Sequence, residues 1–209
     1  MHRSSMDMSA TFGAKVEHVV AESQDVLSLN VKCGAVGCII NGSCKLEHEG
    51  ASRIIPERRL YVIDNHTQHV EHFTNHEGLF EQVLLRISDD SVAGMSDTNR
   101  RERERFDNAI LQGIVSNLSI EELANMCYYS VSTFKRRFIK LYHLPPHKWM
   151  LRCRLMLAAQ IMQKADISIS DVSSLCGFVN VSHFIATFRR HFDTTPSHLK
   201  HHNRPGELQ

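Results

Sequence analysis

Four histidines fall within the eleven residues HTQHVEHFTNH: His66, His69, His72 and His76. Imidazoles grouped this closely can hold a transition metal, so metal ligation is the first chemistry to weigh, and with it metal-dependent catalysis. Ligands on a β-strand must converge from one face. His69 and His72 are three residues apart, so an extended chain through VEHF sends them to opposite sides. The spacing favours ordinary exposed or core histidines over pocket lining by one or two of them, and pocket lining over a metal site.

Thiols are the second candidate chemistry. Cys33, Cys38, Cys44, Cys127, Cys153 and Cys176 include no C-x-x-C pair, which removes the zinc-ribbon and dithiol redox signatures. Only Lys32 and Lys45 could lower a thiol pKa near the first three, so burial as reduced thiols is expected over a thiol sensor. No Ser-His-Asp order, phosphate-binding Walker loop or G-x-G-x-x-G is present. The sequence therefore points to no enzyme and no cofactor.

Charge divides the chain. Residues 1–99 carry 8 Lys+Arg against 14 Asp+Glu, a net −6, whereas residues 100–209 carry 16 against 9, a net +7. An acidic half beside a basic one suggests that one domain meets a polyanion. The sequence has no run of eighteen apolar residues and no apolar stretch near Met1, so neither a membrane span nor a secretory signal is expected, and the protein is expected in the cytosol.

The elements that would position these side chains change in kind along the chain. From about residue 12 to 88, VEHVVA, VLSLNV, LYVID and FEQVLLRI are short apolar segments bounded by Gly, Pro, Asn or Asp. IINGSCKLEHEG places Asn41-Gly42 as a two-residue hairpin turn, followed by period-two alternation. These signals predict a small all-β barrel or jelly roll. SDDSVAGMSDTNRRERE, residues 88–104, reads as a charged linker running into a helix.

Beyond it the period becomes helical and the sequence repeats. SIEELANMCYYSVSTFKRRFIKLYHLPP and SISDVSSLCGFVNVSHFIATFRRHFDTTP align Ile120 with Ile169, Leu123 with Val172 and Cys127 with Cys176. After one inserted residue they align Phe134 with Phe184, Phe138 with Phe188 and Pro146 with Pro196. Each copy predicts a short helix with a small residue (Ala124, Ser173), a tight break, and a longer helix capped by Ser130 or Asn180, which together make a helix-turn-helix. In the first longer helix Val131, Phe134, Phe138 and Leu141 share one face, leaving Ser132, Lys135, Arg136, Arg137 and Lys140 elsewhere. PHKWMLRCRLMLAAQIMQK, between the copies, predicts one helix of about 17 residues and ~26 Å. Successive major grooves on one face of B-DNA lie ~34 Å apart, so one chain could read two half-sites of double-stranded DNA.

On these residues the chain resembles the AraC/XylS family of bacterial transcription regulators. The likeness spans about residues 105–200 and is strongest in DISISDVSSLCGFVNVSHFIATFRRHFDTTP. It implies an α+β protein in three parts: a cupin-like β-barrel or jelly-roll domain for regulation or dimerisation (12–90), a linker (91–104), and a DNA-binding domain with two helix-turn-helix units joined by a long helix (105–202). It further implies base contacts from Ser132, Thr133, Lys135 and Arg136 in the first unit and from Val181, Ser182, Ile185 and Ala186 in the second. Expected partners are double-stranded DNA, RNA polymerase, a small-molecule effector in the N-terminal domain and a second copy of the chain. Metal-binding cupins usually carry an H-x-H pair, which is missing here. A methyl-accepting repair protein would need a four-cysteine zinc set, which is also missing.

Tyr128 stands where Gly177 stands in the other copy, and His143 and Asp193 stand where the family favours glycine, which bears on the local turns. The second unit has no Arg, Lys, Gln or Asn at its base-facing positions after Asn180. The expectation is that Arg136 and Lys135 read guanine edges while Val181 and Ile185 touch thymine methyls. Arg137, Lys140, Arg189, Arg190 and the basic residues around the linking helix would bind phosphates. Two alternatives stay open: a metal-dependent cupin enzyme fused to a DNA anchor, and a ligand-independent regulator controlled by a partner protein.

Overall fold

The computed structural model of the chain describes residues 2–6, 14–21, 34–48, 50–64, 67–87 and 97–202. The expected strand VLSLNV and Cys33 lie outside them. The fold is mixed α+β, with a β-rich N-terminal part and a helical C-terminal part.

Eight strands are described: β1 (His2–Met6), β2 (Ala14–Ala21), β3 (Ala35–Asn41), β4 (Ser43–His48), β5 (Ala51–Ile55), β6 (Leu60–Ile63), β7 (Thr67–Phe73) and β8 (Phe80–Ile87). They form a five-stranded sheet ordered β1-β2-β8-β3-β6 and a three-stranded sheet ordered β5-β4-β7. Among the described residues the pairing gives two sheets, not one closed barrel.

The near-continuous apolar run of β8 follows from burial on both faces. Phe80 and Leu84 meet Ile39, Tyr61, Ile63, Cys44, Leu46, Ile55 and Val70 between the sheets. Val83, Leu85 and Ile87 join Ala14, Val16, Val36, Cys38 and Ile40 on the opposite face, which packs on helices. The space between the sheets is thus filled by side chains, Tyr61 and Phe80 among the largest.

Asn41-Gly42 is not the expected two-residue hairpin. β3 pairs with β6 and β8, and β4 with β5 and β7, so Gly42 is the corner where the chain crosses from one sheet to the other. Its φ is +85°, its N–H donates to Glu57 Oε1 at 2.9 Å, and an added Cβ would lie 2.3 Å from the Phe73 carbonyl oxygen. Glycine fits the turn, but pairing partners are chosen over long range.

Among the described residues seven helices follow: α1 (Asp97–Ser116), α2 (Ile120–Met126), α3 (Val131–Tyr142), α4 (Pro146–Lys164), α5 (Ile169–Leu175), α6 (Val181–Phe192) and α7 (Pro196–His202). Pro146 opens α4 at a position where its missing N–H costs nothing. Most of α4 from Leu155 to Met162 is buried, because it packs against the helices on either side and also against β2, β3 and β8. α1 contacts β3 and β6 as well as α2 and α4. One continuous apolar core therefore runs from the five-stranded sheet through α1 and α4 into both helical units.

Candidate nucleic-acid interface

Each helical unit is set by local chemistry. Ser119 caps α2 in a reciprocal pair: its Oγ accepts from the Glu122 N–H at 3.2 Å, and Glu122 Oε2 accepts from the Ser119 N–H at 2.7 Å. Ser168 caps α5 through the Asp171 N–H at 3.0 Å. Ser130 and Asn180 start the longer helices, accepting from Thr133 N–H at 3.2 Å and His183 N–H at 3.0 Å. Such caps each contribute about 1 kcal/mol. The small residues Ala124 and Ser173 are fully buried where the paired helices approach.

α3 and α6 have the same length, 12 residues, and the same ending, a left-handed residue at His143 (φ 55°) and Asp193 (φ 56°). Tyr128 (φ 58°) and Gly177 (φ 79°) also share this geometry, so all the glycine departures seen in the sequence occupy left-handed positions. The inserted residue of the second copy lies at its turn, where Val179 is 99% exposed.

Burial fixes the faces. Phe134, Phe138 and Tyr142 form the inner stripe of α3; Leu141, expected there, is 39% exposed. Tyr142 wins the place because its ring packs on Phe138 at 4.7 Å and Trp149 at 4.6 Å while its hydroxyl donates to Asp107 at 3.3 Å. In α6 the inner stripe is Phe184, Thr187 and Phe188. The outer faces carry Ser132, Lys135, Arg136, Arg137 and Lys140 on α3 and Ser182, Ile185, Ala186, Arg189 and Arg190 on α6, all exposed, with Thr133 and Val181 half-buried. Thr133 accepts a hydrogen bond from the Ser130 hydroxyl at 2.9 Å.

Arg154 and Arg137, both expected to bind phosphate, are engaged within the molecule. Arg154, on the linking helix, is one of the basic residues expected to bind phosphate; instead its Nε donates to the Ile114 carbonyl at 3.0 Å and its Nη2 to that of Gly113 at 2.7 Å. It thereby satisfies carbonyls of the last turn of α1. Arg137 makes an ion pair with Glu102 of α1 at 2.8 Å. Neither contact has a sequence signal, since the partners are 41 and 35 residues away or thereabouts along the chain.

In the β-rich part, His72 is buried between the sheets, 4.2 Å from the Phe80 ring and 3.3 Å from Gln82 Nε2, whose amide oxygen accepts from the Tyr61 hydroxyl. His76 is exposed, His66 lies outside the described residues, and His69 pairs with Glu47 in the β4–β7 register. Among the described residues no group of three His, Cys, Asp or Glu could hold a metal ion. Burial pushes the Cys38 and Cys44 thiols up to about 12 and Cys127 to about 11, and Cys153 and Cys176 upward as well. A cavity of about 480 Å³ opens where the small sheet and β6 meet α1. Leu46, His48 and Thr67 line it from the strands, Asp64 from just beyond β6, and Val115 and Ser116 from the helix.

Two capped helix-turn-helix units on one connecting helix define the class: a paired helix-turn-helix domain. Residues 123–202 match a family model described as a helix-turn-helix domain. The transcriptional activator RhaS of Klebsiella pneumoniae is 28% identical over 124 residues, 59% of this chain and 45% of its own length. The probable transcriptional regulator LumQ of Photobacterium leiognathi is 34% identical over 92 residues, 44% of this chain and 37% of its own. A transcriptional regulator of Chromobacterium violaceum with an AraC-type DNA-binding domain, known as a crystal structure, is 27% identical, with 53% of this chain and 100% of that one covered and a TM-score of 0.46. The chain spans less than half the length of these two curated relatives. All of these matches fall on a chain whose helical half carries a helix-turn-helix domain. No described helix is long and apolar enough to cross a membrane.

Proposed function

We propose that this protein is a sequence-specific, double-stranded DNA-binding transcription regulator, an activator, controlled through its N-terminal part. The observation that carries the reading is the duplication: two 12-residue helices, each with a buried aromatic stripe and an exposed outer face, held by the 19-residue α4. That helix is about 28 Å long at 1.5 Å per residue, comparable with the ~34 Å between successive major grooves.

Ser132, Thr133, Lys135 and Arg136 face bases in the first groove, with Arg136 and Lys135 on guanine edges. Val181, Ser182, Ile185 and Ala186 face the second, where Val181 and Ile185 touch thymine methyls. Lys140, Arg189 and Arg190 hold phosphates and set the register. Residues 12–90 act as the cupin-like regulatory and dimerisation domain and residues 91–104 join them to the DNA-binding domain at 105–202.

The 480 Å³ cavity is the effector site of this reading. A small molecule there would touch both the strands and α1, and so shift the population in which the two units engage DNA. The filled space between the sheets favours a second reading of control, through a partner protein in place of a small molecule. In either case the protein is not an enzyme, needs no cofactor, and acts in the cytoplasm at the nucleoid with RNA polymerase and a second copy of itself. Selection of bound fragments from genomic DNA, with the full chain, tests the proposal. A recurrent motif of two half-sites is expected; recovery of fragments with no shared motif contradicts it.

A further inference from the structure

Arg137 sits beside Arg136 on α3, yet its guanidinium is directed at α1. It lies 2.8 Å from Glu102 Oε1 and 3.4 Å from Oε2, donates to the Tyr129 hydroxyl, and stands 4.8 Å from the centre of the Tyr129 ring. The same hydroxyl donates to Glu102 Oε1 at 2.5 Å. Three side chains from α1, the turn before α3, and α3 itself therefore close a ring. The ring borders a cleft of about 330 Å³ whose other walls include Phe106, Lys140 and Leu141.

A carboxylate and a phosphate compete for the same guanidinium, because both offer paired oxygens to its planar fork. Glu102 is already in place, and Tyr129 orients both partners. We propose that Glu102 is an internal competitor for Arg137: it keeps this cation of α3 off the DNA backbone, so the first unit makes one phosphate contact fewer than its exposed charges would allow. The inference rests on α3 being a DNA-facing helix. It makes Glu102 a positioning residue that sets general DNA affinity without touching DNA. Because Glu102 lies on the helix whose far end, at Val115 and Ser116, lines the 480 Å³ cavity, the competitor and the cavity share one rigid element.

The test uses the full chain and random-sequence duplex DNA, with binding measured across a salt series. Each phosphate neutralised adds about 0.9 to the slope of log affinity against log salt. Glu102→Gln keeps the shape and a hydrogen-bond acceptor for Tyr129 but removes the charge. It should tighten binding and steepen the slope by about 0.9, whereas Arg137→Ala alone should leave the slope at the wild-type value. In the double variant the steepening should vanish.

Three outcomes overturn the proposal: an unchanged or shallower slope in Glu102→Gln, a slope already reduced in Arg137→Ala, or steepening that persists in the double variant, which would mean a general field effect. Trp149 fluorescence, reporting the aromatic core beside α3, verifies that each variant is folded. Failure of the wild-type chain to bind duplex DNA at all would instead sink the DNA-binding reading itself.

Discussion

The side-chain amide of Asn117 donates to the carbonyl oxygen of Gly177 at 2.9 Å, joining the residue that leaves α1 to the turn of the second helix-turn-helix unit. Asn117 itself is left-handed, with φ +48°, and two residues later Ser119 caps the first unit. This one bond thus ties the entrance of the first unit to the corner of the second. Gly177→Ala would force a Cβ into a backbone with φ +79° and place it 3.1 Å from Asn117 Oδ1. The expected loss is about 1 kcal/mol, read as a lower midpoint in urea unfolding followed by Trp149 fluorescence. Unchanged stability would show that the turn has room this geometry denies it.

Asp193 points the other way. It holds a left-handed backbone, and its carboxylate sits at the C-terminus of α6, where the helix dipole favours cations. Asp193→Gly removes both penalties. A gain of about 0.5–1 kcal/mol is expected, visible as a rise of about 1–4 °C in Tm for a chain of this size. A fall in Tm would indicate a favourable contact of that carboxylate.

Arg136 and Arg189 should fail differently. Arg136→Ala should cost about 1–3 kcal/mol at the preferred sequence and relax the choice at one base pair. Arg189→Ala should weaken all sequences alike and lower the salt slope by about 1. Competition binding against a panel of single-base variants separates the two. Equal, sequence-independent losses from both would contradict the division of labour.

Acid sensitivity should trace in part to Glu17. Burial disfavours its charged form, but Arg86 at 3.1 Å and Lys15 at 3.3 Å outweigh that and hold its carboxyl below the ordinary value. A carboxyl depressed in the folded state contributes stability in full above its unfolded pKa of about 4.3 and loses it as the pH falls through the folded value. Glu17→Gln should therefore be less stable than wild type at neutral pH, with the gap closing below about pH 4. Parallel stability curves across that range would show that the pair is too well solvated to matter.

What the sequence disclosed was the part governed by local spacing. The duplicated units follow from a repeat of caps and apolar positions, and Ser130 and Asn180 do cap α3 and α6. Leu141 and Tyr142 are harder to rank from spacing alone, because the choice depends on Asp107 accepting the tyrosine hydroxyl from another helix. Gly42 was legible as a turn but not as a crossing between sheets, which is decided by strands far along the chain. The engagement of Arg154 and Arg137 was not legible at all. Both look like surface cations in sequence and are distinguished only by what α1 brings opposite them.

The most direct test of the central claim is hydroxyl-radical footprinting of the full chain on a selected genomic site. Two protected patches on one face of the duplex, about 10 base pairs apart, are predicted for α3 and α6 in successive major grooves. Protection confined to a single turn would contradict it.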